Sequence, residues 1–137
     1  MKIFATVLTA VMMFSAGITS TKKQRVTATV VNVSTDSGKV SFALYDKANF
    51  MRQPLQSKNG KIVDGKSTVT FENVAPGDYA IICFHDKNDN DTMDFETNGM
   101  PMEDYGATNN IMNFGPPKYD DAKFTVSDKD VTFEIKF

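Results

Sequence analysis

The chain ends in VTFEIKF (Val131–Phe137), which alternates without a break. Val131, Phe133, Ile135 and Phe137 fall on one side of an extended chain, and Thr132, Glu134 and Lys136 on the other. Successive strand side chains point to opposite faces, so the pattern predicts a strand with one buried face. The same period recurs upstream. RVTATVVNV is rich in β-branched residues, and KVSFALYD sets Val40, Phe42 and Leu44 on one side. STVTFENV, DYAIICFHD and KFTVSD read the same way. No segment sustains a period of 3.6. YDKANFMRQPL has room for one short helical turn, ended by Pro54.

The turns suit antiparallel neighbours. TDSGK (Thr35–Lys39) predicts a hairpin turn with Gly38 at positive φ. Asn59-Gly60 and Asp64-Gly65 are further turn signals, and APGD fits a type II turn with Pro76 second and Gly77 third. SDKD links the last two strands. Together these features predict an all-β protein: one antiparallel β-sandwich of about seven strands over residues 21–137, with one long acidic loop.

Residues 1–20 read differently. A basic start at Lys2, an apolar run from Ile3 to Phe14 and the small residues of SAGITS have the layout of a secretory signal peptide. The run is shorter than the ~20 apolar residues of a membrane span. Cleavage after Gly17 or near Ser20 is expected, giving a periplasmic or extracellular monomer with no membrane anchor. Losing Lys2 takes the net charge from -2 to -3, which argues against a nucleic-acid partner. Cys83, the single cysteine, leaves no internal disulfide and reads as a small buried side chain.

One segment breaks the strand pattern. Asp86 to Asp121 runs 36 residues without clear periodicity and carries nine acidic residues against two lysines, a net charge of -7. The rest of the mature chain is then about +4. Crowded carboxylates raise one another's pKa values or recruit a cation. Asp86, Asn88, Asn90 and Asp94 stand at relative positions 1, 3, 5 and 9, as in a calcium loop. The Thr92 carbonyl falls at position 7, and Glu103 is placed to close the shell from farther away. Two positions depart from that pattern: Asp91 stands where glycine is usual, and Thr97 where a bidentate Glu is usual. The competing reading is a metal-free loop of Asx turns. A transition metal is disfavoured, because His85 is the only histidine. His85 itself reads as a strand-end side chain bonding loop backbone.

Within this loop Tyr105, Asn109, Asn110 and Phe114 form a candidate polar–aromatic patch for an unknown protein or glycan. Its aromatics and four methionines are expected to need burial or a partner.

The stretch His85, Asp86, Asn88, Asn90, Asp94, then Gly99, Pro101, Glu103, Tyr105, Gly106, Asn109, Asn110 resembles the signature of a bacterial family labelled domain of unknown function 2141. FENVAPGDYAI and DDAKFTV are similar to that family's other elements. Asp91 for the usual glycine and Thr108 for the usual serine are departures. The resemblance implies an exported small β-sandwich, similar to prealbumin-like or carboxypeptidase-regulatory-like domains, and implies no activity. It also suggests that Tyr79 packs its ring in the core and bonds backbone near a corner.

The expectation is therefore an exported, non-enzymatic domain that is calcium-stabilised or binds through its 86–121 loop. The alternatives are a metal-assisted or carboxylate-driven hydrolase using Asp86, Asp94 and Glu103, and a glycan- or protein-binding module without metal.

Overall fold

The computed structural model describes residues 22–137, so the expected leader over residues 1–20 lies outside the described residues. Eight strands follow in order: β1 Gln24–Val30, β2 Lys39–Tyr45, β3 Gln56–Gly60, β4 Ser67–Val74, β5 Gly77–Asp86, β6 Tyr105–Ala107, β7 Phe124–Val126 and β8 Val131–Ile135. A short helix, α1 (Tyr119–Ala122), precedes β7. One sheet has the order β4-β1-β8, and the other β3-β2-β5-β6, with β7 paired to the start of β5.

Alternation builds the core. The buried residues of β1 (Val26, Ala28, Val30) and β2 (Val40, Phe42, Leu44) each sit two apart along their strands. They meet Phe71 of β4, Ile81 and Cys83 of β5, and Ile135 of β8 in one cluster between the sheets. Thr27 and Thr29 of β1 face outward and bond Thr70 and Thr68 of β4 at 3.1 and 2.8 Å. These cross-strand hydroxyl pairs hold register on the open face. Tyr79 acts as expected: its hydroxyl donates to Ala75 O at 2.7 Å while its ring packs on Phe124.

The sandwich departs from the expected pattern in four places, one of them Asn59-Gly60, which lies at the end of strand β3, paired to β2, rather than in a turn. Two strands lacked a periodic signature. In β3, QSKNG, only Gly60 is buried, as befits a polar edge strand, and β6 has just three residues. The β1–β8 pair is parallel, with Val26 opposite Val131 and Val30 opposite Ile135. TDSGK is not a hairpin, because β1 and β2 lie in different sheets; it carries the chain across, with Gly38 at φ 73°. Asp64-Gly65 does form a tight turn, with Val63 and Lys66 bonded both ways at 2.9 and 3.0 Å.

Where β6 meets the end of β8 the backbones nearly touch. A Cβ on Gly106 would lie 2.7 Å from Lys136 O and 2.8 Å from Ile135 Cγ2. Gly106→Ala is therefore expected to force the sheets apart at this edge and cost ~1–3 kcal/mol. Phe71→Ala, in the fully buried centre, is expected to cost ~3–5 kcal/mol. Urea unfolding of both variants checks this; a Gly106→Ala protein as stable as the parent would contradict the contact.

Candidate metal centre

β5 ends in two buried polar side chains. His85 turns inward, the bland role expected of it: its Nε2 bonds Ser37 O at 2.7 Å, and its Nδ1 has no partner among the described residues. Its backbone N–H donates to Asp104 O at 2.8 Å, which draws the far end of the acidic loop back to the strand. Asp86 is also fully buried. Its Oδ1 accepts the Asn90 N–H at 3.1 Å and its Oδ2 the Asp91 N–H at 2.8 Å. These bonds curl residues 86–91 into a tight loop around one carboxylate. Asp89 and Asp91 take φ of 56° and 64°, conformations that short Asx side chains tolerate. So Asp91 does occupy the left-handed position where glycine is usual, without unwinding the loop.

The side chains of the loop converge rather than splay. Asn88 Nδ2 donates to Asp94 Oδ2 at 2.7 Å, and Asn90 Nδ2 reaches both Asp94 oxygens at 2.9 and 3.0 Å. Those bonds, Asn90 first and then Asn88, hold the Asp94 carboxyl below its ordinary range. Met102 N–H donates to Asp94 O, and Glu96 N–H to Met100 O, both at 2.8 Å, closing a small hairpin that returns Glu103 to the focus. Glu103 is 7% exposed, and its Oε2 has no hydrogen-bond donor among the described residues. Burial first, then contact with the Asp94 carboxyl and the charges of Asp94 and Asp86, raise Glu103 from 4.5 to about 7. Thr92 enters only through its backbone N–H, which bonds Asn90 Oδ1 at 3.1 Å.

A second grouping escaped sequence reasoning. Asp86, Asp89 and Asp91 bring their carboxylates within 4.8 Å of one another. The Lys39 ammonium sits among them, 2.7 Å from Asp89 and 3.9 Å from Asp86, and also bonds Asp91. Hydrogen bonds to Asp89 and Asp91 hold its pKa well above the ordinary lysine value. Lys39 is there because β2 and β5 pair with Lys39 opposite Asp86. Only that register reveals the contact, and 47 positions separate the two in sequence. Gly38 makes the fit possible: a Cβ there would fall 2.0 Å from Asp86 O.

The candidate patch divides. Asn109 donates to Asp121 O and Lys123 O, both at 2.9 Å, and ties the 3-10 turn Thr108–Asn110 to α1. Asn110 clips the edge of β8, donating to Glu134 O at 2.9 Å and accepting the Lys136 N–H at 2.8 Å. Both amides therefore hold the fold. The Tyr105 hydroxyl reaches Gly115 O at 3.4 Å, and Phe114 stands fully exposed. The expectation that the loop's aromatics pack away thus fails at Phe114 and at Phe95, and holds at Tyr119, which packs edge-on to Phe50.

No curated protein and no solved structure matches the chain. One family model does, over residues 28–134, from the middle of β1 to the next-to-last residue of β8 and across the whole acidic loop. The chain therefore belongs to the family described as uncharacterized protein conserved in bacteria, DUF2141.

Proposed function

We propose that this is an exported, non-enzymatic β-sandwich whose loop at the end of β5 binds one calcium ion. The observation that carries the reading is Glu103: a buried carboxyl with one oxygen lacking any donor, held against a second carboxyl. A buried charge needs a partner, and a hard cation with oxygen ligands supplies it. Asp94 and Glu103 would provide carboxylate oxygens. Asn88 and Asn90 would join them by turning their amides, which presents oxygen where nitrogen now donates. Asp86 serves from behind, as the carboxylate that winds the loop. Lys39 already offsets part of the charge of the outer carboxylates, which favours the inner focus for the ion.

The opposite shifts of Glu103 and Asp94 also suit a general acid and base, the basis of the hydrolase alternative. Two neighbouring carboxyls with split pKa values are compatible with either role, and the dependence of stability on calcium separates them.

Calcium at a hundredfold excess over Kd stabilises the folded state by about 2.7 kcal/mol, a rise in Tm of roughly 10 °C. Glu103→Gln and Asp94→Asn should each abolish that rise while leaving a folded sandwich. Calorimetry with calcium and with chelator decides it, and an unchanged Tm in millimolar calcium would end the calcium reading.

Without calcium, the raised Glu103 pKa makes the folded state hold a proton that the unfolded chain has released. Stability should therefore fall as pH rises from about 4.5 to about 7. Glu103→Gln should flatten that slope, and calcium should reverse it, as measured by urea unfolding across the window. Lys39→Met should lower the Tm in chelator and raise calcium affinity several-fold, since it removes a competing positive charge. Unaltered affinity by titration calorimetry would separate Lys39 from the ion.

A further inference from the structure

β6 is the edge strand of its sheet, and its pairing determines which backbone groups remain free. His85 N–H donates to Asp104 O, and Gly106 lies opposite Cys83. Hydrogen-bonded and non-bonded pairs alternate along an antiparallel ladder. Asp104 and Gly106 therefore turn their backbone groups toward β5, while Tyr105 and Ala107 turn theirs away. The Tyr105 N–H and C=O and the Ala107 N–H find no partner among the described residues. The facing edge, β8, is treated differently, for the Asn110 amide occupies its Glu134 and Lys136 groups as a pairing strand would.

A groove of about 550 Å³ runs along β6. Met100, Ile111, Met112 and Phe137 line it, and the first three are 60%, 53% and 96% exposed. Large apolar side chains concentrated beside a free strand edge mark an interaction surface. The charge around it is negative. Along the groove Asp104 and Asp121 balance Lys118 and Lys136, and the excess of negative charge lies in the adjoining loop: the segment from Asp86 to Asp121 carries -7 with Glu103 ionised and before Lys39 is counted.

From this combination we propose that the β6 edge takes up an extended peptide segment of another protein, one that alternates apolar and basic residues. Its backbone would complete the Tyr105 and Ala107 hydrogen bonds. Its apolar side chains would cover Met100, Ile111 and Met112, and its basic ones would face the acidic rim. A second copy of this chain fits poorly, because it would bring another loop of the same charge to the same edge. The backbone groups it uses, those of Tyr105 and Ala107, are not among the proposed calcium ligands.

The test is amide exchange by NMR on the protein with the peptide Lys-Val-Lys-Val-Lys-Val-Lys, and separately with Glu-Val-Glu-Val-Glu-Val-Glu. The basic peptide is expected to slow exchange at Tyr105 and Ala107 at least tenfold, and the acidic one to leave it unchanged. The double variant Ile111→Ser/Met112→Ser is expected to bind the basic peptide at least tenfold more weakly at an unchanged Tm. Binding without protection of those two amides would overturn the proposal, as it would show attraction to the acidic loop alone. Equal protection by both peptides, or protection that grows with protein concentration in the absence of peptide, would overturn it too; the latter would identify a second copy as the occupant.

Discussion

The Asp86 carboxylate has no contact with solvent, and the shape of the acidic loop follows from how it is satisfied. A charge removed from water is tolerable only with donors around it. Two come from the N–H groups of Asn90 and Asp91, and the Lys39 ammonium stands 3.9 Å away. To deliver those N–H groups the chain must coil back on itself within five residues. That coil places Asn88 and Asn90 against Asp94 and brings Asp89 and Asp91 to Lys39. The sheet contributes the rest. The β2–β5 register sets Lys39 opposite Asp86, and Gly38 lets the preceding turn lie against the strand end.

The loop thus handles its charge in two ways. The outer carboxylates, Asp89 and Asp91, share one lysine that the fold supplies, which offsets half their charge. The inner pair, Asp94 and Glu103, has no such lysine among the described residues. Asp94 is stabilised as a carboxylate by two amides, whereas burial and that same neighbour keep Glu103 protonated to about pH 7. A proton shared between them is one solution, and a divalent cation is the other. On the proposed calcium reading, which one holds would depend on pH and calcium concentration.

Much of the fold was legible because burial imposes a period of two. Strands β1 and β2 and the first part of β4 bury alternate residues, β8 turns Val131, Phe133 and Ile135 inward, and β5 keeps the alternation except at Ala80–Ile81 and His85–Asp86, where neighbours are both buried. What escaped notice has a physical reason. QSKNG is an edge strand with almost nothing to bury, and YGA is too short to show any period. Turn chemistry indicates that the chain reverses, but not whether the next strand joins the same sheet, so TDSGK read as a hairpin. In the site, the spacing of Asn88, Asn90 and Asp94 matches side chains that bond one another, since local spacing governs a coiled loop, whereas the Asp86 carboxylate bonds the loop's backbone instead. The contact with Lys39 was invisible because it depends on strand register. The Asn109–Asn110 pair read as a binding patch, yet both side chains bond backbone; a polar side chain's sequence does not say whether it faces a ligand or its own fold.

The central claim is that the Glu103 carboxyl is a buried acid awaiting a positive partner. Carbon-detected NMR of its side-chain carboxyl, followed against pH in chelator and in calcium, tests this directly. The account predicts titration near 7 in chelator and an ionised signal throughout that range in calcium. A carboxyl that titrates near its ordinary value of about 4.3 in both would contradict it.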